Sequence, residues 1–275
     1  MEEYISQQQS QPGFLLNQDF RYDLFLKEFT IIIPAYNEGK RISSVLDNIC
    51  RFISENNVPW NLIIAIDGND ETYDITRTFA LSYDFITVNK SNGRRGKGGA
   101  IKRVLSEIVG EFTILMDADN SIDFLEVVRA VPFLNKSDVV ILTRYSKYNR
   151  IPPLRLFLSR GFNILVRSLT GLKISDTQSG YKIFRTELFK ASMQKVTVTN
   201  ASYDVPLLYY IKKMGGRILE MPAHYTHADD GKLDPFSMAI SFGISLVAFR
   251  IRNSQFASYI PKSLVRLYNR KFRWI

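Results

Sequence analysis

Apolar residues along this chain come in short unbroken runs, and the stretches between the runs carry apolar residues at helical spacing. The run at 29–33 reads F-T-I-I-I, and others follow at 62–66, 85–88, 112–116 and 138–142. Runs of four or five residues rich in Ile and Val are the pattern of strands buried on both faces. Between them the period changes. Ile42, Val45, Leu46, Ile49 and Ile53 share one face of a helix predicted over 40–57, and Ile101, Val104, Leu105 and Ile108 share a face of another. A third helix is predicted over 122–134. Strand and helix alternating in this way predict an α/β fold with a mostly parallel sheet flanked by helices. Beyond residue 142 the pattern loosens into helices over 155–170 and 203–213, a polar loop over 175–182, a strand over 217–220 and a loop over 224–234. No internal repeat is present.

In open parallel sheets, ligands bind outside the carboxyl ends of the strands. Pro34 to Glu38, Asp67, Asp117 with Asp119, and Arg144 each follow a predicted strand directly, so four polar loops are expected to converge on one crevice. Asp117-Ala118-Asp119 offers two hard oxygen ligands to a divalent cation, which commonly binds a diphosphate at the same time. The same residues, with Asn120 and Ser121, also suit a polar turn capping the next helix. A glycine-rich basic loop at 92–99 could cradle phosphate on backbone N–H groups, with Lys97 adding charge, or be a flexible turn. It is not a Walker loop, because Ser91 and Gly98 stand where that motif needs Gly and Ser or Thr.

Composition adds little until charge is placed along the chain. With 275 residues, 45% hydrophobic and 23% charged, this is an ordinary globular sequence. One cysteine, Cys50, excludes an intrachain disulfide and reads as a buried thiol. The first residues have neither a basic n-region nor an apolar core, so no signal peptide is expected. No apolar run has the length of about 18 residues needed to span a membrane. The net charge of +9 is uneven: six Lys or Arg and no acid lie in 144–167, seven and no acid in 250–275, and the rest holds 23 basic against 27 acidic residues. Both basic segments also carry large apolar residues, a pattern that fits an anionic membrane surface better than nucleic acid. The expected organisation is a loose extension at 1–28, one domain at 29–234 and a basic amphipathic tail at 235–275.

Taken together, I-I-I-P-A-Y-N-E, the Asp67 loop, G-K-G, D-A-D, T-R-Y and D-T-Q-S-G-Y-K resemble the inverting nucleotide-sugar glycosyltransferases of family 2. The similarity is greatest to the branch of dolichyl-phosphate glucosyltransferases and dolichol-phosphate mannose synthases, and it covers residues 29–232. The resemblance implies a GT-A fold. It also implies a nucleoside pocket lined by Pro34, Tyr36, Glu38 and Asp67, with Lys97 and Ala118 beside the nucleotide sugar. Asp117 and Asp119 would hold magnesium or manganese. Arg144, Arg155 and Lys232 match basic positions that gather around phosphates, while Asp176, Gln178 and Gly180 fall in the acceptor-side motif and Asp204 matches a further acidic position. Asp119, Arg144, Arg155, Asp176, Asp204 and Lys232 are thus the expected catalytic set. The chain departs from the family pattern at Ile66, Ser121 and Pro206, where an Asp, a Gln and a Glu are usual.

The implied reaction moves a hexose, glucose from UDP-glucose by the branch resemblance, to a polyprenyl phosphate, with the protein peripheral on the cytoplasmic face of a membrane. GDP-mannose as donor, a soluble glycan or protein as acceptor, a nucleotidyltransferase and an inactive membrane-binding scaffold remain open at this level. The only histidines, His224 and His227, would point to opposite sides of an extended stretch and are not expected to bind metal.

Overall fold

A computed structural model describes residues 22–146, 149, 151–226 and 235–254. The short helix α1 (Tyr22–Phe25) leads into β1 (Phe29–Ala35), α2 (Gly39–Asn56), β2 (Trp60–Ile66), α3 (Thr72–Ser82) and β3 (Ile86–Lys90). Then come α4 (Lys97–Arg103), β4 (Phe112–Leu115), α5 (Phe124–Ala130), a 3-10 turn (Val131–Asn135), β5 (Val139–Thr143) and α6 (Pro153–Thr170). The chain continues through β6 (Lys182–Arg185), α7 (Thr186–Lys195), a second 3-10 turn (Ala201–Tyr203), α8 (Asp204–Lys213), β7 (Ile218–Pro222) and α9 (Pro235–Arg252).

The seven strands form one sheet in the order β3-β2-β1-β4-β6-β5-β7. Every pairing is parallel except those of β6, which lies antiparallel between β4 and β5. The expected α/β sheet is therefore present. The loop expected at 175–182 is present up to residue 181, β6 and α7 lie just past it where nothing regular was expected, and α3 was not foreseen. β6 has only four residues and passes into α7 without a gap, so neither period has room to show.

Both faces of the sheet are covered, as its near-continuous apolar strands require. On one face Ile31, Ile33, Leu62, Ile64 and Ile114 meet α2 and α5, and Trp60 lies among Phe25, Phe29, Phe52 and Phe124. On the other, Ile32, Ile63, Leu115 and Ile141 meet α4, α7 and α8. α2 ends at Asn57, which takes the left-handed conformation that stops a helix (φ 48°). Packing reaches past the expected domain limits: Leu24 and Phe25 are buried at one end, and Leu246 and Phe249 of α9 at the other. Cys50 is buried on α2, where burial and then Asp47 push its thiol up to about 12.

Candidate active site

β1, β2, β4 and β5 all run in the same direction, so the loops leaving their carboxyl ends lie along one edge of the sheet. After β4 the chain passes through Asp117, Ala118 and Asp119 to Asn120, whose φ of 55° turns it sharply. The next helix begins only at Phe124. Its cap is Asp123, which accepts the Leu125 N–H at 2.8 Å. The two earlier aspartates are thus not needed as helix caps. Asp119 Oδ1 accepts the Ser121 N–H at 3.0 Å and the Tyr181 hydroxyl at 3.3 Å. Asp117 forms an ion pair with Lys97, the first residue of α4.

Gly180 closes the other side of this turn. A Cβ there would stand 1.8 Å from Asp117 Oδ2, so a side chain at this position would displace the carboxylate. Charges alternate through the cluster. Burial opposes ionisation of Asp117, but Lys97, and then Lys182 and Arg144, hold its carboxyl below the usual range. Burial likewise works against charge on Lys97, and Asp117, Asp204 and Asp119 outweigh it and raise its pKa. Burial, followed by Asp117 and Asp119, pushes the Tyr181 phenol upward. At neutral pH the aspartate is ionised, the lysine protonated and the tyrosine a neutral donor.

Arg144, at the end of β5, grips Asp176 with two side-chain hydrogen bonds, Nε to Oδ2 at 2.9 Å and Nη2 to Oδ1 at 2.7 Å, and a third from its backbone N–H at 2.9 Å. Asp176 is 1% exposed, and Arg144 outweighs burial to hold its carboxyl low. Glu220 of β7 accepts the Ser175 and Asp176 N–H groups, each at 2.9 Å, which fixes the loop from below. Sequence reasoning missed Glu220. An acid in a four-residue edge pattern gave no sign of its partner.

Past the carboxyl end of β1, Tyr36 is exposed and carries the Arg94 guanidinium 4.5 Å from its ring centroid. Asn37 accepts the Asn69 N–H at 3.1 Å, tying the β1 and β2 loops together. Pro34 lies within β1, Ala118 is buried, and Glu38 is paired with Arg41 at 2.6 Å. Asp67 faces protein rather than open space. Its Oδ2 accepts the Arg95 N–H at 2.6 Å, and its Oδ1 accepts from Arg103 at 2.9 Å. Arg103 also donates to Asn89 Oδ1 at 2.6 Å and to the Ile66 and Asn89 carbonyls. Asp67 and Arg103 therefore hold down the loop at 92–96, and Arg103 was not singled out from the sequence.

That loop is not a free cradle. Gly96 has φ 76° and packs on the Thr199 carbonyl, which in turn accepts the Gly99 N–H at 2.8 Å. Asp204, expected among the reacting groups, is buried at the start of α8 and paired with Lys182 at 2.6 Å, both side chains being at most 3% exposed. Lys182 also donates to the Ser179 carbonyl. This pair lies under the crevice and supports it. A lysine opening the apolar run K-I-F was the available clue. Arg155 lies in the first turn of α6 with its side chain outside the described residues, as are Lys232 and His227.

Asp117 and Asp119 supply the carboxylate oxygens that a hard divalent cation requires. Among the described residues no group of three His, Cys, Asp or Glu comes together, so the remaining positions would fall to diphosphate and water. Two buried polar atoms of the two loops that frame the cluster lack partners, Asn120 Oδ1 and Gln178 Nε2. Orphaned polar atoms of this kind fit a place built to receive a polar ligand.

A mostly parallel α/β sheet whose strand ends bring paired carboxylates together with lysine and arginine is the frame of a glycosyltransferase. The chain belongs to glycosyl transferase family 2, whose model matches residues 30–192. It is similar to the dolichyl-phosphate beta-glucosyltransferase of Dictyostelium discoideum, 31% identical over 245 residues, covering 81% of this chain and 74% of the relative. Mannosyl-3-phosphoglycerate synthase from Rubrobacter xylanophilus superposes with a TM-score of 0.64 at 18% identity, covering 92% of this chain and 83% of that one. Glucosyl-3-phosphoglycerate synthase from Mycobacterium tuberculosis, solved with Mn2+, UDP and glucosyl-3-phosphoglycerate, superposes with a TM-score of 0.61 at 19% identity, covering 86% and 84% of the two chains. These likenesses establish the GT-A fold. Among the described residues no helix is long and apolar enough to cross a membrane.

Proposed function

We propose that the protein is an inverting hexosyltransferase that moves glucose from UDP-glucose to dolichyl phosphate or a related polyprenyl phosphate at a membrane face. The observation that carries this reading is the joining, at one sheet edge, of the Asp117/Asp119 pair to the Arg144–Asp176 lock through Gly180. It is supported by family membership and by the name and extent of the curated relative.

The chemistry asks little of the protein in proton transfer. A lipid phosphate has a second pKa near about 6 and is mostly dianionic at neutral pH, so it is already a nucleophile. Its oxygen attacks the anomeric carbon, the bond from that carbon to the diphosphate oxygen breaks, and the configuration inverts. Asp117 and Asp119 would hold magnesium or manganese, which when bound supplies Lewis-acid neutralisation of the departing nucleoside diphosphate. Lys97, already aimed at Asp117, would add positive charge on the donor side. Arg144, fixed in orientation by Asp176, would hold the acceptor phosphate, with Arg155 and Lys232 as further cations. Tyr36 and Arg94 would flank the base, and Pro34, Glu38 and Ala118 would shape the pocket. Asp67 acts from behind, through the loop it holds.

The experiment offers UDP-glucose and GDP-mannose, separately labelled, with a short polyprenyl phosphate and magnesium. Glucose label alone is expected in the lipid phase, and Asp119→Ala should abolish it. Mannose label would replace the donor, and full metal-dependent transfer by Asp119→Ala would remove the assigned metal site.

A further inference from the structure

Lys97, Lys182 and Arg144 all act on Asp117, but they are held differently. Arg144 is committed to Asp176 through two side-chain hydrogen bonds, and Lys182 is committed to the buried Asp204. Lys97 pairs with Asp117 itself, one of the two carboxylates suited to a divalent cation. Its ammonium sits on Oδ1, while Gly180 packs against Oδ2, where an added Cβ would come within 1.8 Å. On the other aspartate, Asp119 Oδ1 already accepts the Ser121 N–H and the Tyr181 hydroxyl. The more open oxygen of Asp117 thus carries a positive charge of the protein's own.

The backbone beneath Lys97 is clamped on both sides of it. Gly96, at φ 76°, lies against the Thr199 carbonyl, and a Cβ on Gly98 would stand 2.7 Å from the Tyr203 Cβ. The Gly99 N–H donates to the Thr199 carbonyl at 2.8 Å. The start of α4 is therefore fixed on the segment at 198–203, and only the lysine side chain has freedom. Four methylenes carry its ammonium as a compact point charge, and the side chain is 25% exposed, so rotamer changes alone turn it from Asp117 into the crevice. What holds it on the aspartates is charge: burial works against the protonated lysine, and Asp117, Asp204 and Asp119 overcome that. A cation on Asp117 and Asp119 cancels this attraction and repels the ammonium at short range, where little water screens the pair.

We propose that Lys97 is an exchangeable counter-charge, which holds the cation's place on Asp117 until magnesium or manganese binds, then yields that place and turns to the diphosphate of the nucleotide sugar. The proposal rests on the transferase reading and adds a coupling to it. Metal frees the charge that receives the diphosphate, and the diphosphate keeps that charge away from the metal's ligand. Each partner then strengthens the binding of the other by the same factor.

The test measures Mn2+ binding to the full chain by electron paramagnetic resonance, with and without UDP, for the parent and Lys97→Met. Alongside it, trace acetylation of Lys97 in the parent is followed by mass spectrometry, which needs no variant to fold. Lys97→Met is expected to bind Mn2+ alone about tenfold more tightly, because nothing competes for Asp117, and to bind UDP with saturating Mn2+ about tenfold more weakly. A lysine that only supports the loop would not move the two affinities in opposite directions. In the parent, acetylation of Lys97 should be slow without metal, faster with Mn2+ alone and slow again once UDP is added. Mn2+ affinity that is unchanged or weakened in Lys97→Met, UDP affinity untouched by it, or acetylation that ignores Mn2+ would each overturn the exchange, and a parent that still binds Mn2+ with UDP would leave the transferase reading standing. A parent that binds neither would overturn both.

Discussion

Gly180 and Asp117 share a space that admits no side chain, for a Cβ on the glycine would lie 1.8 Å from the carboxylate oxygen. Gly180→Ala must therefore push Asp117 out of position. A misplacement of about 1 Å at a reacting centre costs on the order of 100-fold in rate. The variant should lose that much in kcat/KM and bind Mn2+ more weakly by electron paramagnetic resonance. Unchanged Mn2+ affinity would show that Asp117 is not a ligand.

Arg103 and Asp67 form a second linked pair, behind the loop at 92–96. Arg103→Met frees the Asp67 carboxylate and loosens the loop that carries Arg94 and Arg95. The donor KM should rise about tenfold, a loss of about 1.4 kcal/mol of ground-state binding, with kcat little altered. Arg103→Lys should recover part of that loss. A fall in kcat at constant KM would place Arg103 in the chemical step instead.

The Lys182–Asp204 pair is buried, so removing one partner strands a charge. Lys182→Met should cost about 3–5 kcal/mol, on the order of 10 °C in Tm. Lys182→Met with Asp204→Leu should recover most of it, because two apolar groups leave nothing unpaired. Calorimetry of the single and double variants decides the matter, and equal losses would mean that packing rather than charge is at stake.

Acid sensitivity follows from Asp176, whose carboxyl Arg144 holds below the ordinary range despite burial. A carboxyl with a lowered folded pKa gives stability that is complete above its unfolded value, about 3.9, and is lost as pH falls through the folded one. The Tm gap between the parent and Asp176→Asn should thus be constant above about pH 5 and begin to narrow as pH falls below about 3.9. A gap that does not narrow at any acid pH where both variants remain folded would assign the difference to packing.

Much of this was legible in the chain because long apolar runs and helical spacing are local signals. β1, β2, β4 and β5 announce themselves, and so do the acids and the arginine placed just past their ends. Partners were not legible. Nothing near Asp67 in sequence names Arg103, and nothing near Asp176 names Glu220, since such pairs are made by sheet order. The insertion of β6 between β4 and β5 decides that order, and four residues flush against a helix show no period. Asp204 was expected among reacting groups because a motif gives residue type and not depth; its burial beside Lys182 appears only in three dimensions.

The most direct test of the central claim is transfer of labelled glucose from UDP-glucose to a short polyprenyl phosphate, with magnesium and then with excess chelator. The account predicts a glucosyl-phosphate lipid of inverted, β configuration that forms only with the metal. Product formed equally under chelation, or label found only on soluble acceptors, would contradict it.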